Sequence, residues 1–289
     1  MKTNFLQKTN YHTHTNFCDG KNSVEEMILA AIEKNFTILG FSSHSMFPHA
    51  DSWQMPAARH EEYFSCVRSL AKKYSDKIKI YCGLEADFVP NISSDFAWQF
   101  ERFSPDYLIG SVHYILGNGA FFTVDDKAQK VAEGLRRVFK GDGKKAVCEY
   151  FSLQREMLRT QKFLILGHAD VIRVRNGELN FFSESESWYK KELKATAKEA
   201  ARAGVIVEIN TGGIARGTLD DVYPSAEFLD ILHQENVPIT FSSDAHSCKD
   251  LDCAFDRAEL AAIRAGYLEA AYFEDGEIKF RPLDGRLKF

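Results

Sequence analysis

The chain carries no Cys-x-x-Cys pair: its six cysteines stand apart at 18, 66, 82, 148, 248 and 253. That scatter argues against a disulfide framework and for reduced thiols. No apolar run approaches the roughly 20 residues of a membrane span, so no membrane partner is expected. Basic residues are not in excess either. Lys and Arg number 36 against 41 Asp and Glu, a formal charge of −5. Such a chain does not coat nucleic acid through bulk charge, although a few arginines can still hold a small anion locally. Repeats, low-complexity tracts and a clear linker are missing too. One domain over 1–289 is therefore expected, with a core from about 10 to 270 and a C-terminal tail over 271–289. Residues 1–9 hold lysines and no apolar stretch, unlike a secretory leader, and the expected compartment is the cytoplasm.

What is present is alternation. Short β-branched or aromatic runs at 8–14, 38–42, 77–85, 106–113, 163–166, 205–210 and 238–242 are separated by helical patterns, which signals βα units and a parallel sheet. Ser23-Val-Glu-Glu26 is a capping box opening the first helix, and Gly204 stops the helix over 188–203. The segment 117–126 reads as a loop, and the tail as holding one short hairpin.

His12 and His14 lie two apart in the first run, so on a strand both rings face one point, as two ligands of one metal would. A strand with two polar residues facing solvent is the plainer alternative. The other strand ends decide between them. His44 follows the second run, Glu85 closes the third, His113 closes the fourth, His168 follows the fifth, and Asp244 and His246 follow the seventh. The sixth leads into Asn210, a glycine pair and Arg216. In a closed βα barrel these ends converge on one rim. So many metal-competent side chains at one structural position point to a metal site, and they exceed what a single tetrahedral zinc uses. A carboxylate such as Glu85 can bridge two ions. Imidazole with carboxylate suits zinc, iron or manganese.

His12-Thr-His14, Ser43-His44, Gly83-Leu-Glu85, Gly110-Ser-Val-His113, Gly167-His168-Ala-Asp170, Glu208-Ile-Asn-Thr-Gly-Gly213 and Ser243-Asp-Ala-His246 resemble, as an ordered set, the PHP (polymerase and histidinol phosphatase) family, and within it the histidinol-phosphate phosphatase branch. The resemblance runs from about residue 10 to about 264. It implies a distorted (β/α)7 TIM-like barrel with three divalent metal ions. By motif, His12, His14, Glu85 and Asp244 would hold the first ion. Glu85, His113 and His168 would hold the second, and Asp19, His44 and His246 the third. Many family members have a histidine where Asp19 stands. The resemblance also implies arginines for the phosphate, with Arg216 the better match and Arg173 the weaker. Asp244 and His246 are candidates for protonating the leaving group.

The implied activity is metal-dependent hydrolysis of a phosphate monoester, L-histidinol phosphate, in histidine biosynthesis. The partner expected is a small phosphorylated molecule, with the oligomeric state open. Three other readings stand beside it. One is a PHP phosphoesterase for a nucleotide or another small phosphate. Another is an amidohydrolase, which the third-strand glutamate and the Asp-x-His pair fit poorly. The last is a catalytically silent PHP scaffold, which should have lost ligands. His49, His60 and His233 stand away from strand ends and read as surface or packing residues. Cys18 and Cys248 read as pocket wall. Asp170 reads as an orienting partner of a histidine or a helix cap, and Trp53 with Phe121-Phe122 as a cover over the rim or as core.

Overall fold

Along each strand, residues of one parity are apolar at the start and polar at the end, and this gradient positions the site. Residues two apart share a face. Ile38, Gly40, Ser42 and His44 therefore form one inward row. Tyr81, Gly83, Glu85 and Asp87 form the next, and Tyr107, Ile109, Ser111 and His113 the third. The lower members pack together as an interior plug of Tyr11, Ile38, Tyr81, Tyr107, Ile109, Ile165 and Ile206. Residues of the other parity join the larger core between strands and helices, Leu39, Phe41, Leu108 and Val112 among them.

The computed structural model describes residues 7–45, 53–93 and 95–283. Its strands are β1 (Thr9–Asn10), β2 (Ile38–Phe41), β3 (Lys79–Cys82), β4 (Leu84–Asp87), β5 (Leu108–Ser111), β6 (Tyr114–Gly117), β7 (Ala120–Thr123), β8 (Ile165–Leu166), β9 (Ile206–Asn210), β10 (Ile239–Ser242), β11 (Glu269–Glu274) and β12 (Glu277–Pro282). Two parallel sheets run β1-β2-β3 and β10-β9-β8-β5-β4. They are joined at both edges. The chain passes directly from β3 to β4 through Gly83. On the other side Thr13 bridges Ala245 in parallel register, with the His14 N–H donating to the Ala245 carbonyl at 2.9 Å. With β3 and β4 taken as one bent strand, seven parallel strands close a distorted (β/α)7 barrel. The bend has a cause: a Cβ at Gly83 would lie 2.7 Å from the Tyr107 ring, so only glycine lets the strand pass this plugging tyrosine.

The long helices fall where the pattern put them. Ser23 and Glu26 make the reciprocal capping box of Val24–Glu33, and Gly204, with φ +69°, ends Ser187–Ala203. Two expectations change. The segment 117–126 is not simply a loop, because β6 and β7 form an antiparallel hairpin turning at Asn118 and Gly119, both with positive φ. The tail is more than an appendage: the β11–β12 hairpin packs Ala271 and Phe273 into the interior plug, and the Tyr11 hydroxyl donates to the Phe273 carbonyl at 2.7 Å. No helix among the described residues is long and apolar enough to cross a membrane.

Candidate metal centre

The polar ends of the inward rows meet at the barrel mouth. Glu85, fully buried on β4, is the centre. Its Oε2 lies 3.1 Å from His12 Nε2, 2.9 Å from His44 Nδ1 and 3.7 Å from His14 Nε2. Its Oε1 lies 2.9 Å from His168 Nε2 and 3.5 Å from His113 Nε2. Five imidazoles thus surround one carboxylate. Asp244, on the turn after β10 with φ +49°, places Oδ1 3.0 Å from His14 Nε2 and 3.6 Å from His12 Nε2.

Asp19 arrives from the opposite side. The 15–20 turn folds back on the first strand, with the Gly20 N–H donating to the Thr15 carbonyl at 3.0 Å. A Cβ on Gly20 would fall within 2.7 Å of the His14–Thr15 backbone, so the turn needs glycine to close this tightly. Asp19 then stands 3.2 Å from His246 Nε2 and 3.8 Å from His44 Nε2.

All nine residues singled out in the sequence thus enter four overlapping groups: His14, Asp19, His44 and His246; His12, His168 and Asp244; His12, His14 and Glu85; His44, Glu85 and His113. Within each group the ligand atoms lie no more than 4.8 Å apart.

These residues fit metal ions on evidence independent of motif. Among the described residues, His12 Nε2, His14 Nε2, His44 Nδ1 and Glu85 Oε2 are buried polar atoms at the centre that make no hydrogen bond, a costly condition unless something else satisfies them. The far sides of two rings are fixed by carboxylates. Glu208 holds His12 Nδ1 with both oxygens at 2.9 Å, and Asp87 holds His113 Nδ1 at 2.6 Å. A carboxylate on one ring nitrogen sets the tautomer and aims the other nitrogen's lone pair, as around bound metals. His113 and His168 bring their Nε2 atoms to 3.2 Å, so the two rings face one point beside Glu85.

The electrostatics are those of a site built for positive charge. Burial would raise the Glu85 carboxyl, yet His12, His44 and His113 hold it well below the usual range. Burial opposes ionisation of Asp244 as well, and Arg216 and His12 overcome it. His14 is pushed down to about 3 by burial and by neighbouring His44 and His246, so it is neutral with a lone pair to give.

Above the cluster opens a cavity of about 470 Å³, with Asp19, His44, Trp53, His168, Arg216 and His246 among its walls. Arg216 donates to Asp244 Oδ2 at 2.8 Å and to the Asp244 carbonyl at 3.3 Å, while its side chain stays 40% exposed. Arg173 goes elsewhere. Its guanidinium is buried against Asp221 at 2.9 Å, Glu184 at 3.2 Å and the Val222 carbonyl at 3.1 Å. Arg175, two residues on, lines the cavity in its place.

Other readings sort as follows. Trp53 stands edge-on to His44 at 4.5 Å between ring centroids and lines the cavity, whereas Phe122 is core against Phe139. His60 stacks on Phe103 and His233 packs on Tyr267. His49 lies outside the described residues. Cys18 Sγ sits 3.6 Å from His14 Nδ1, and Cys248 meets Met27. Asp170 holds no histidine among the described residues: its Oδ2 accepts the Ser225 N–H at the start of a helix. The sequence names Glu208 only within a motif, without a role, and does not point to Asp87, although each lies two residues from a strand-end position and so on the same inward face.

Three known proteins are similar to this chain. A solved structure from Listeria monocytogenes aligns with a TM-score of 0.76 at 21% identity, covering 86% of this chain and 99% of that one. The histidinol phosphate phosphatase of Lactococcus lactis, solved with zinc, L-histidinol and phosphate, aligns with a TM-score of 0.67 at 21% identity, over 95% and 99% of the two chains. The histidinol-phosphatase of Bacillus subtilis is 25% identical over 269 residues, 87% of this chain and 98% of that protein. The PHP domain model matches residues 10–212, and with its motif residues converging at the barrel mouth the chain belongs to the PHP family.

Proposed function

We propose that this protein is a metal-dependent phosphomonoesterase that hydrolyses L-histidinol phosphate to L-histidinol and phosphate, acting in the cytoplasm as a single domain with three divalent ions. The observation that carries the reading is the bridging position of Glu85, with its five surrounding imidazoles and Arg216 at the rim. The relatives named above as histidinol phosphatases supply the substrate.

His12, His14, Glu85 and Asp244 would hold one ion, Glu85, His113 and His168 a second, and Asp19, His44 and His246 a third. Bound there, the ions supply Lewis acidity toward a phosphoryl oxygen and lower the pKa of water. The chain's own part is positioning and charge. The exposed edge of Arg216 meets the phosphoryl oxygens, whose negative charge otherwise repels a nucleophile. Between the two candidates for returning a proton to the leaving alcohol, Asp244 is held ionised by Arg216 and His12. His246 has its proton affinity raised, because Asp19 and Asp244 outweigh its burial, and it lines the cavity. As a ligand of the third ion, however, His246 would give up that proton, so neither residue is assigned as the donor.

The test is direct. Purified protein is assayed for bound metal, then for phosphate release from histidinol phosphate, other monoesters, diesters and amides. Histidinol phosphate should give the highest kcat/KM. Metal-loaded protein that releases phosphate from no monoester refutes the reading, and a nucleotide preferred over histidinol phosphate reassigns the substrate.

A further inference from the structure

A carboxylate facing a phosphatase cavity needs a reason, since it repels the substrate's phosphate. Four aspartates line this cavity: Asp19, Asp125, Asp126 and Asp244. Asp19 and Asp244 belong to the metal centre. Asp126 is engaged: its Oδ1 accepts the Lys127 N–H at 2.7 Å, its Oδ2 pairs with Lys130 at 3.1 Å, and its carbonyl accepts from Arg175 at 2.8 Å. Asp125 makes no hydrogen bond or ion pair with any described residue.

Its position is not accidental. Asp125 follows β7, where the Val124 N–H donates to the carbonyl of His113 at 2.9 Å and the Val124 side chain is wholly buried. This anchor ties the half-buried Asp125 beside a metal-centre histidine and turns it toward the cavity. Its charge acts on His113 and on Arg216, so it lies within electrostatic reach of both the metal centre and the phosphate-facing arginine. Three of the four Lys and Arg residues lining the cavity are already matched, Arg216 by Asp244, Arg175 by Glu178 at 3.1 Å and Lys130 by Asp126, and the fourth, Lys127, forms no ion pair with Asp125.

We propose that Asp125 is the specificity residue for the substrate's amine: it receives the ammonium group of an amino-alcohol phosphate while Arg216 holds the phosphate. The assignment rests on the phosphomonoesterase reading and deepens it by requiring a zwitterionic substrate, cationic at one end and anionic at the other. A phosphate ester without the amine would meet only the repulsion of Asp125, so the same carboxylate attracts one class and rejects the other.

The experiment compares the metal-loaded wild type with Asp125→Asn on two esters, L-histidinol phosphate and its deamino analogue, imidazolyl-propanol phosphate. The readout is the ratio of their kcat/KM values. A charge-assisted hydrogen bond to the amine should make this ratio fall roughly 10- to 100-fold in the variant, mostly through KM. Asp125→Ser is the second variant and should show the same loss. An unchanged ratio overturns the proposal. So does an equal loss on both esters, which would place Asp125 in phosphate binding or proton transfer instead.

Calorimetric binding of L-histidinol and of imidazolyl-propanol to the same proteins separates this assignment from the activity. Wild type should prefer the amine and Asp125→Asn should not. Equal affinities in the wild type overturn the proposal even where hydrolysis is observed, and an Asp125-dependent preference sustains it even where histidinol phosphate is not hydrolysed.

Discussion

Glu208 grips His12 with both carboxylate oxygens, each 2.9 Å from Nδ1, while its Oε1 also accepts the backbone N–H of His168 at 2.8 Å. One side chain on β9 therefore fixes a ring from the first strand and the strand end that carries His168. Glu208→Gln keeps the volume and removes the charge that sets the His12 tautomer. Metal affinity should fall roughly 10- to 100-fold, as for other carboxylates behind ligating histidines, with the fold retained. Metal content after dialysis against a graded chelator checks this, and wild-type retention would show that Glu208 serves packing alone.

Glu85 should behave more severely. It is the carboxylate common to His12, His44, His113 and His168, so Glu85→Ala leaves several imidazoles without a shared anion. Metal content and phosphatase activity should be lost together. Full metal occupancy in this variant would contradict the bridging role.

Arg216 has one edge on Asp244 and the other in the cavity. Arg216→Ala should raise KM for the phosphate ester by roughly 10- to 100-fold, the range of a lost charge-assisted hydrogen bond. Metal content should persist, because Asp244 still meets His14 at 3.0 Å. An unchanged KM removes Arg216 from phosphate binding. Arg173→Ala should instead unsettle the fold near Asp221 and Glu184 and leave KM alone.

Much of this centre was legible in the sequence because its residues sit at strand ends, where a barrel collects them. The seven strands and nine clustered side chains follow from that regularity. What escaped has local causes. Glu208 and Asp87 are inward by the same period of two, but each lies two residues to one side of a strand end. Arg173 and Arg175 have identical chemistry, and only the 3-10 turn over Val171–Arg173 decides which one faces the cavity. The β6–β7 hairpin has a local signal in Asn118-Gly119, a pair suited to the left-handed conformations of a tight hairpin turn. The first strand reads as seven residues, yet its ladder spans Thr9–Asn10, and Thr13 reaches Ala245 through one isolated bridge. Such interruptions come from barrel closure, which no local pattern encodes.

His113 gives a pH signature for the metal-free protein. Burial alone would depress its proton affinity, but Asp87 and Glu85 outweigh it and raise it to about 10. A histidine with a folded pKa above its ordinary 6.5 adds stability that is full below pH 6.5 and disappears as pH rises through 10. The Tm of chelator-treated protein should therefore fall between pH 7 and 10. Metal ligation requires the neutral ring, so loading at pH 8 should release protons, and the metal-loaded protein should lose this slope. Calorimetric titration with metal in two buffers of different ionisation enthalpy counts the protons. A heat independent of buffer would show that His113 is already neutral.

Asp170 gives the opposite test of sign, away from the ligand atoms. It is wholly buried, with Oδ1 unpartnered among the described residues. Burial pushes it up from 3.8 to about 6 against the pull of Arg173 and the Ser225 N–H. A carboxyl whose folded pKa exceeds its unfolded value holds its proton more tightly in the folded state. Its contribution to stability is present below pH 3.8 and lost as pH rises through 6. At pH 7 the buried charge then costs about 3 kcal/mol relative to the protonated form. Asp170→Asn keeps an oxygen for the Ser225 N–H and carries no charge. In chelator-treated protein it should raise Tm at pH 7 to 8 by several degrees and leave Tm near pH 4 unchanged. A lower Tm at pH 7 would mean that the ionised Asp170–Arg173 pair, 3.9 Å apart, outweighs the desolvation it suffers.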